Sequence, residues 1–282
     1  MNVSQLLSDA TQRIAAAIDL PLREARLEAR VLASHAWQVD AAWLIAHDTD
    51  SVLAVHAAQF QTLLSRRLQG TPIAYLVGLR EFFGRSFEVS ADVLIPRPDT
   101  ELLVERALAT LPPDQPVEVL DMGTGSGCIA ITLALECPRA RVTAVDCSPA
   151  ALTMAQRNAV RLSAPIEYVV SNWFAALGVL RFDLIVSNPP YIANQDPHLA
   201  RGDVRFEPLT ALASGPDGLD DLRHLIHAAR DHLKPGAGLL LEHGYDQSDA
   251  VLDLLRKNGI AQAQSWADLS GTLRVSGGKL SE

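Results

Sequence analysis

The first 76 residues carry apolar positions that recur at helical spacing between polar ones. The glycine- and aromatic-rich runs that are typical of strands are absent from this stretch. We therefore predict a small all-helical domain over residues 1–76, built from short amphipathic helices. The apolar positions that support it are Leu6, Leu7, Ile14, Leu22, Leu27, Val31, Leu32 and the run 52–68.

The pattern changes in the stretch 81–90, where aromatic residues flank Gly84. Aromatic residues around a glycine are typical of a β-hairpin. We predict that residues 77–95 form a hairpin connector between two domains.

Beyond the hairpin, short β-branched runs alternate with helical runs, which is the pattern of a doubly wound parallel sheet. The predicted strands are 117–121, 141–146, 166–171, 182–187 and 237–242, and the predicted helices are 128–136, 149–162 and 219–233. Ser148 followed by Pro149 is a favourable helix start. Two further segments, 262–267 and 272–276, are predicted to close the sheet as an antiparallel pair. We expect residues 96–282 to form an α/β, Rossmann-like domain with a mostly parallel seven-stranded sheet.

The chain has 282 residues, a formal net charge of -9 and a pI near 5.4. This acidity argues against a protein that grips nucleic acid mainly through its phosphates. No apolar run reaches the roughly 18 residues of a membrane span, and the first residues lack the layout of a signal peptide. We expect a cytoplasmic protein that does not associate with membranes.

Metal chemistry finds little support in the sequence. Cys128, Cys137 and Cys147 are too few for a disulfide framework and lack the paired spacing of a zinc site. His224 and His227 are one helical turn apart, but no cysteine or carboxylate cluster accompanies them. We expect reduced thiols and no metal.

A glycine-rich turn, Gly123-Thr124-Gly125-Ser126-Gly127, joins a predicted strand to a predicted helix. Glycines suit such a turn because the backbone must bend tightly and approach a ligand where a Cβ would clash. Asp146 ends the next strand, where its carboxylate can accept both hydroxyls of a ribose. This order of elements predicts a nucleotide-like cofactor, either S-adenosylmethionine or a dinucleotide. Trp173, just beyond the third strand, is expected to cover the adenine face.

The motif Asn188-Pro189-Pro190-Tyr191 directly follows the predicted strand 182–187. It therefore lies at the carboxyl end of a buried strand, where ligands of such sheets bind. Its two prolines fix φ and remove two backbone donors, which leaves a rigid run of acceptors.

These acceptors suit the methylation of a planar amide or amine nitrogen, whose lone pair is delocalised. The Asn188 side-chain oxygen and the Pro189 backbone oxygen can accept its two N–H bonds and stabilise charge that develops on nitrogen. Tyr191 is expected to pack on the planar substrate group, near the cationic sulfonium. We therefore predict nitrogen methylation from S-adenosylmethionine. Asn188, Pro189 and Tyr191 are the predicted catalytic residues, and Pro190 completes the substrate contact.

With these motifs the chain resembles the release factor glutamine methyltransferase (PrmC/HemK) family over nearly its whole length. The matching stretches are 70–75, 81–84, 94–98, 120–129, 188–192 and 242–247. The resemblance implies a helical substrate-recognition domain and a class I methyltransferase domain. It implies methyl transfer to the amide nitrogen (N5) of the glutamine in the Gly-Gly-Gln motif of class-1 peptide-chain release factors. We expect a monomer that makes no direct contact with nucleic acid.

The resemblance also implies the site residues. Its cofactor contacts fall on the turn from Gly123 to Gly127, on Asp146, on Trp173 and on Asn188, and its glutamine contacts fall on Asn188 to Tyr191.

Three positions depart from the family pattern. Asn172 stands where an acidic residue often precedes the tryptophan, and its amide can still accept from an adenine amino group. Asp99 replaces a common glutamate, and His243 replaces a usual apolar residue. We expect none of the three to touch the residues that hold the substrate amide.

Other enzyme classes share some of these sequence features. A glutamine methyltransferase of a ribosomal protein resembles the chain in both domains, and Asn-Pro-Pro-Tyr also occurs in DNA and RNA amine methyltransferases that act on a flipped base. The stretch 95–101 favours the release-factor enzymes, and the acidic charge disfavours the nucleic-acid enzymes. A binding module without activity would not need an intact glycine turn, Asp146 and Asn188 to Tyr191. A nicotinamide dehydrogenase would need an acid and a base for hydride transfer, and the sequence does not offer them.

Overall fold

The computed structural model describes residues 1–112 and 114–281. It divides the chain into two compact units. The first comprises residues 1–79 and 200–206, and the second comprises residues 80–199 and 207–282. No helix in the described part of the chain is long and apolar enough to cross a membrane.

The first unit is helical. Its α-helices are α1 (Val3–Ile18), α2 (Leu22–Trp37), α3 (Ala41–Ala46), α4 (Ala54–Leu68) and α5 (Ile73–Val77). α1 begins in a capping box, because the Asn2 side chain accepts from the Gln5 N–H at 2.8 Å and the Gln5 side chain accepts from the Asn2 N–H at 3.1 Å. The helices share a core that includes Ile14, Leu32 and Phe60.

Two leucines of α2 do not belong to the buried face that the sequence pattern assigns to them. Leu22 is 54% exposed and Leu27 is 65% exposed. The buried face of α2 instead includes Ala25, Ala29 and Leu32. Small alanines let neighbouring helices approach closely, so α2 packs with fewer large side chains than the pattern suggests.

The segment 200–206 belongs to the helical unit although it follows the Asn-Pro-Pro-Tyr motif in sequence. Arg67 at the end of α4 is almost fully buried and bonds Glu28 at 2.7 Å and Asp203 at 3.0 Å. The Arg205 guanidinium donates to the Gln69 carbonyl at 3.2 Å. The sequence analysis instead includes this segment in the α/β domain 96–282, because the segment is polar and shows no periodicity that would indicate a helical unit.

The second unit contains the hairpin strands β1 (Leu79–Phe82, of which Leu79 belongs to the helical unit) and β2 (Arg85–Glu88). Its other strands are β3 (Val117–Met122), β4 (Ala140–Asp146), β5 (Ile166–Val170), β6 (Phe182–Ser187), β7 (Leu233–Glu242), β8 (Ile260–Ala267) and β9 (Leu273–Leu280). Its α-helices are α6 (Thr100–Thr110), α7 (Cys128–Glu136), α8 (Pro149–Leu162), α9 (Asp220–His232) and α10 (Ser248–Lys257).

The large sheet has the order β5-β4-β3-β6-β7-β9-β8. Its strand pairs are parallel except those of β9, which runs antiparallel to β7 and β8. The predicted α/β fold with a mostly parallel seven-stranded sheet is therefore confirmed. Helices cover both faces: Val119 packs in the cluster that contains α6 and α7, and the next residue, Leu120, packs in the cluster that contains α9 and α10.

Local sequence signals set several element ends. The Ser148 hydroxyl accepts from the Ala151 N–H at 3.2 Å, and α8 begins at Pro149 as predicted. α10 was not predicted although Val251 and Leu255 stand at helical spacing and are buried. α6 was not predicted either.

Replacing Arg67 by methionine is expected to lower the free energy of unfolding by about 2–3 kcal/mol, because two carboxylates lose a buried partner. The exposed neighbour Arg66 is the matched control, and Arg66→Met is expected to change stability by no more than about 0.5 kcal/mol. Urea unfolding followed by tryptophan fluorescence measures both variants. Equal losses of unfolding free energy in the two variants would contradict a stabilising role for the Arg67 ion pairs.

Candidate active site

The site begins with the pairing of the two central strands. β3 and β6 are parallel, and their register sets Met122 opposite Ser187. The Ser187 hydroxyl donates to the Met122 carbonyl at 2.7 Å and fixes this register from within the core. The residues that follow, Gly123 and Asn188, therefore leave the sheet side by side. β4 and β6 lie on opposite sides of β3, so this edge is the switch point where such folds bind ligands.

A cavity of 420 Å³ opens at this edge. Its volume is in the range of small-molecule sites. The lining includes Arg97, Thr100, Gly123, Thr124, Gly125, Ser126, Asp146, Asn172, Trp173, Asn188 and Pro190. Most of the predicted site residues thus surround one cavity, whereas Gly127, Pro189 and Tyr191 are not among its lining residues.

The glycine turn bends tightly, as its sequence predicts. Gly123, Gly125 and Gly127 have φ values of 72°, 55° and 82°, in the left-handed region that favours glycine. A Cβ on Gly127 would lie 3.0 Å from the Cβ of Ala155, so this glycine lets α7 and α8 pack closely. Gly125 has open space where a Cβ would stand, which leaves the backbone accessible to a ligand.

Asp146 is fixed at the end of β4 by two backbone amides. Its Oδ2 accepts from the Gly125 N–H at 2.9 Å, and its Oδ1 accepts from the Ser148 N–H at 2.9 Å. The carboxylate thus joins the glycine turn to the start of α8 at the cavity wall.

Asp121 was not predicted as a site residue. It is fully buried near the end of β3, and its Oδ2 accepts from the Thr124 hydroxyl at 2.6 Å and from the Ala130 N–H at 3.1 Å. Its Oδ1 has no hydrogen-bond partner among the described residues. Burial raises the pKa of Asp121 to about 7 despite these two bonds. An acid between two apolar residues, Leu120 and Met122, in the buried end of β3 was the sequence signal that could have identified it.

Trp173 lies against the glycine turn. A Cβ on Gly123 would stand 3.7 Å from its ring, and its indole N–H donates to Asp221 Oδ1 at 3.1 Å. The backbone of Trp173 has a φ of 49°, which is uncommon for a large side chain. Its ring is therefore held in place before any ligand binds.

Asn188 is held by a residue that sequence reasoning missed. Its Nδ2 donates to the Thr100 hydroxyl oxygen at 3.0 Å, and Thr100, the first residue of α6, is 2% exposed. Within the described residues, Asn188 Oδ1 has no protein partner. The side-chain oxygen is thus available as an acceptor beside the cavity.

The Tyr191 side chain bonds a buried acid that does not line the cavity. Its hydroxyl donates to Glu242 Oε1 at 3.3 Å, and burial raises the pKa of this phenol far above its usual value. Glu242 ends β7, is 1% exposed and has a pKa that burial raises to about 7. Its Oε2 has no hydrogen-bond partner in the described part of the chain.

The three departures from the family pattern have separate contacts. Asn172 lines the cavity, and Asp99 forms an ion pair with Arg274 at 3.6 Å. His243 is fully buried, with Nδ1 2.8 Å from the Gly244 carbonyl oxygen and Nε2 2.8 Å from the Ser276 hydroxyl. Burial lowers the pKa of His243, which keeps the ring neutral and able to accept from Ser276.

Known families match both units. The model described as "Methyltransferase small domain" matches residues 98–203, and the one described as "PrmC N-terminal domain" matches residues 5–78. A release factor glutamine methyltransferase of Bordetella pertussis is 52% identical over 256 residues, which are 90% of this chain and 95% of the relative. The chain belongs to the release factor glutamine methyltransferase family. The Escherichia coli (strain K12) member is 45% identical over 255 residues, which are 90% of this chain and 92% of that relative.

Solved structures share the fold of this family member. A methyltransferase from Pyrococcus furiosus has a TM-score of 0.54 at 19% identity, over 79% of this chain and 100% of that one. The T. thermophilus 16S rRNA N2 G1207 methyltransferase, solved with AdoMet and guanosine, has a TM-score of 0.52 at 21% identity, over 72% of this chain and 49% of that one. At these identities the likeness shows the methyltransferase fold alone.

Asp121 is expected to make stability depend on pH. Its folded pKa of about 7 lies above the ordinary 3.8, so the folded protein binds more protons than the unfolded chain between these values. The free energy of unfolding therefore falls as pH rises through that window. Asp121→Asn removes this contribution, so the variant should gain stability relative to the parent between pH 4 and pH 8, by at most about 4 kcal/mol at about 1.36 kcal/mol per pKa unit.

Urea unfolding at several pH values measures the difference between parent and variant. The exposed Asp231, changed to asparagine, serves as the matched control for the loss of one carboxylate. A difference for Asp121→Asn that is constant with pH would contradict the elevated pKa.

Proposed function

We propose that this chain transfers a methyl group from S-adenosylmethionine to the side-chain amide nitrogen (N5) of the glutamine in the Gly-Gly-Gln motif of class-1 peptide-chain release factors. One observation carries the proposal: at the cavity that contains the glycine turn, Asn188 presents a side-chain oxygen that has no hydrogen-bond partner among the described residues. The family membership of the chain supports the choice of glutamine as the acceptor.

The cavity fits the cofactor in shape and charge. S-adenosylmethionine is the cofactor, and when bound it supplies an electrophilic methyl group on a cationic sulfonium. The glycine turn 123–127 offers accessible backbone, and Asp146 offers a carboxylate for the ribose hydroxyls. Trp173 offers a fixed aromatic face for the adenine.

The residues after β6 hold the acceptor nitrogen. Asn188 Oδ1 and the Pro189 carbonyl accept its two N–H groups and orient its lone pair toward the methyl group. Both oxygens stabilise the positive charge that develops on nitrogen during transfer, and neither has to reorient. Pro189 and Pro190 have no backbone N–H, so no donor competes at these positions for the substrate. We propose that Tyr191 completes the wall behind this group.

Asn188→Ala is expected to lower the methylation rate by about 10² to 10³, the usual loss for one preorganised transition-state contact. Cofactor affinity should stay nearly unchanged. Asn194→Ala, on the exposed part of the same loop, is the matched control and should keep normal activity. Turnover is measured by transfer of labelled methyl, and cofactor binding by calorimetry.

The same labelled assay tests the substrate. A release factor, a ribosomal protein extract and DNA are offered to the parent enzyme in parallel. Label on the glutamine of the release factor supports the proposal. Label on a ribosomal protein or on DNA alone would overturn the assignment of the substrate, and near-normal turnover of Asn188→Ala would overturn the mechanism.

We further propose that the enzyme works as a cytoplasmic monomer whose helical unit recognises the protein substrate. Recognition by the helical unit is supported by a row of arginines on α2. They are Arg23, Arg26 and Arg30, and no ion pair occurs for them among the described residues. The row lines a cleft of 560 Å³ together with apolar residues that include Leu22 and Ile45, both more than half exposed. Positive charge beside exposed apolar surface favours an acidic protein partner.

Reversing two of these charges tests the role of the helical unit. The double variant Arg23→Glu/Arg26→Glu is expected to raise KM for the whole release factor about tenfold, which is about 1.4 kcal/mol of binding. It should leave KM for a short Gly-Gly-Gln peptide unchanged, because the peptide lacks the rest of the release-factor surface that the cleft is proposed to bind. The control Arg139→Glu/Arg230→Glu changes two exposed arginines of the sheet unit. Equal effects of both double variants on the whole release factor would contradict the proposed surface.

A further inference from the structure

The indole ring of Trp173 has a neighbour at each end. The N–H of its five-membered ring donates to Asp221 Oδ1 at 3.1 Å. At the other end, a Cβ on Gly123 would lie 3.7 Å from Cζ3 and 3.8 Å from Cη2 of the six-membered ring. Trp173, Gly123 and Asp221 all line the 420 Å³ cavity. The ring therefore lies between the glycine turn and the start of α9, at the cavity wall.

The two contacts differ in kind. Packing beside the glycine turn limits where the six-membered ring can lie, but it is not directional. The indole has one donor and no acceptor, so its N–H bond is the polar contact that can select how the ring is turned. The bond to Asp221 is therefore the contact that sets the orientation of the ring.

Asp221 is itself held in place by the segment that precedes α9. Its backbone N–H donates to the Ser214 hydroxyl at 2.8 Å, and Ser214 is 2% exposed. The Ser214 N–H donates in turn to the carbonyl of Ile192, the residue after the acceptor motif, at 2.8 Å. The carboxylate thus belongs to a backbone that is already ordered, so it can hold the ring before a ligand binds.

We propose that Asp221 is a positioning residue for the cofactor, because it keeps the indole of Trp173 turned so that its face is available to the adenine. The inference rests on the proposed placement of the adenine against Trp173. A ring that is fixed in advance loses less conformational freedom when the cofactor binds, so the bond increases cofactor affinity.

Stabilisation of α9 is a less complete explanation of Asp221. An acidic residue in the first turn of a helix is favourable because of the helix dipole. Asp220 also lies in that turn, and its largely exposed carboxylate pairs with Arg223 at 3.0 Å. Asp221 differs because it lines the cavity and bonds an aromatic ring. Asp220 is therefore a matched control with the same charge in the same turn.

Calorimetric titration of the whole enzyme with S-adenosylhomocysteine, without a methyl acceptor, measures the effect. Asp221→Ala should raise Kd about tenfold, the size of one lost hydrogen bond to a charged group. Asp221→Asn keeps an acceptor oxygen and should bind within about threefold of the parent. Asp220→Ala should change Kd by less than about twofold. A loss in Asp220→Ala as large as that in Asp221→Ala would overturn the proposal.

The decisive comparison uses Trp173→Phe, which keeps an aromatic face but has no N–H. If Asp221 acts through the indole, adding Asp221→Ala to this variant should change Kd by less than about twofold. An undiminished loss there would overturn the positioning role, because Asp221 would then act on the cofactor directly or on α9. If Asp221→Ala does not fold, Asp221→Leu, which fills a similar space without an acceptor, takes its place.

S-adenosylmethionine carries a sulfonium charge that S-adenosylhomocysteine lacks, so titration with both ligands separates orientation of the ring from attraction by charge. We expect Asp221→Ala to weaken both ligands equally. A loss in Asp221→Asn that is confined to S-adenosylmethionine would overturn the proposal in favour of a charge contact. At saturating cofactor, kcat for methyl transfer should stay close to that of the parent.

The parent enzyme separates this inference from the function on which it rests. If it binds neither ligand, the proposed function fails and the inference fails with it. If it binds them but methylates no release factor, the proposed acceptor fails while the result for Asp221 stands. If it binds them and Asp221→Ala binds equally well, only the role of Asp221 fails.

Discussion

The parallel register of β3 and β6 is the constraint on which the site depends. It sets Met122 opposite Ser187, and a buried hydrogen bond of 2.7 Å between these residues holds it in place. A slip by one residue would turn each side chain of β6 to the opposite face of the sheet. It would also separate the glycine turn from Asn188. The cofactor loop and the acceptor motif are distant in sequence, and a strand pair buried on both faces makes them neighbours.

Much of this arrangement could be predicted because it is encoded locally. Glycine at positive φ, Ser148 before Pro149, and prolines directly after a buried strand each have one main structural meaning. The seven-stranded sheet followed from alternating runs of strand and helix. The stretches that resemble the release factor glutamine methyltransferase family indicated the family, and the relatives confirm it.

The residues that could not be predicted are those whose importance arises from tertiary contacts. Thr100 and Glu242 stand far from the Asn-Pro-Pro-Tyr motif in sequence, and only the fold brings α6 and the end of β7 beside it. Asp121 and Glu242 are both buried acids with a pKa raised to about 7. A buried carboxyl group is costly for stability, so two of them near the proposed site indicate a functional role. The orientation of Tyr191 toward Glu242 likewise cannot be deduced from its place in the motif.

The segment 200–206 makes the helical unit discontinuous in sequence. No single cut of the chain separates the two units, since one boundary lies near residue 79 and two more enclose this segment. A fragment that ends at residue 79 would contain Arg67 without Asp203, one of its two acidic partners. The loop that follows the acceptor motif therefore contributes residues to both units. To exchange the helical unit between relatives, the segment 200–206 would have to be exchanged with it.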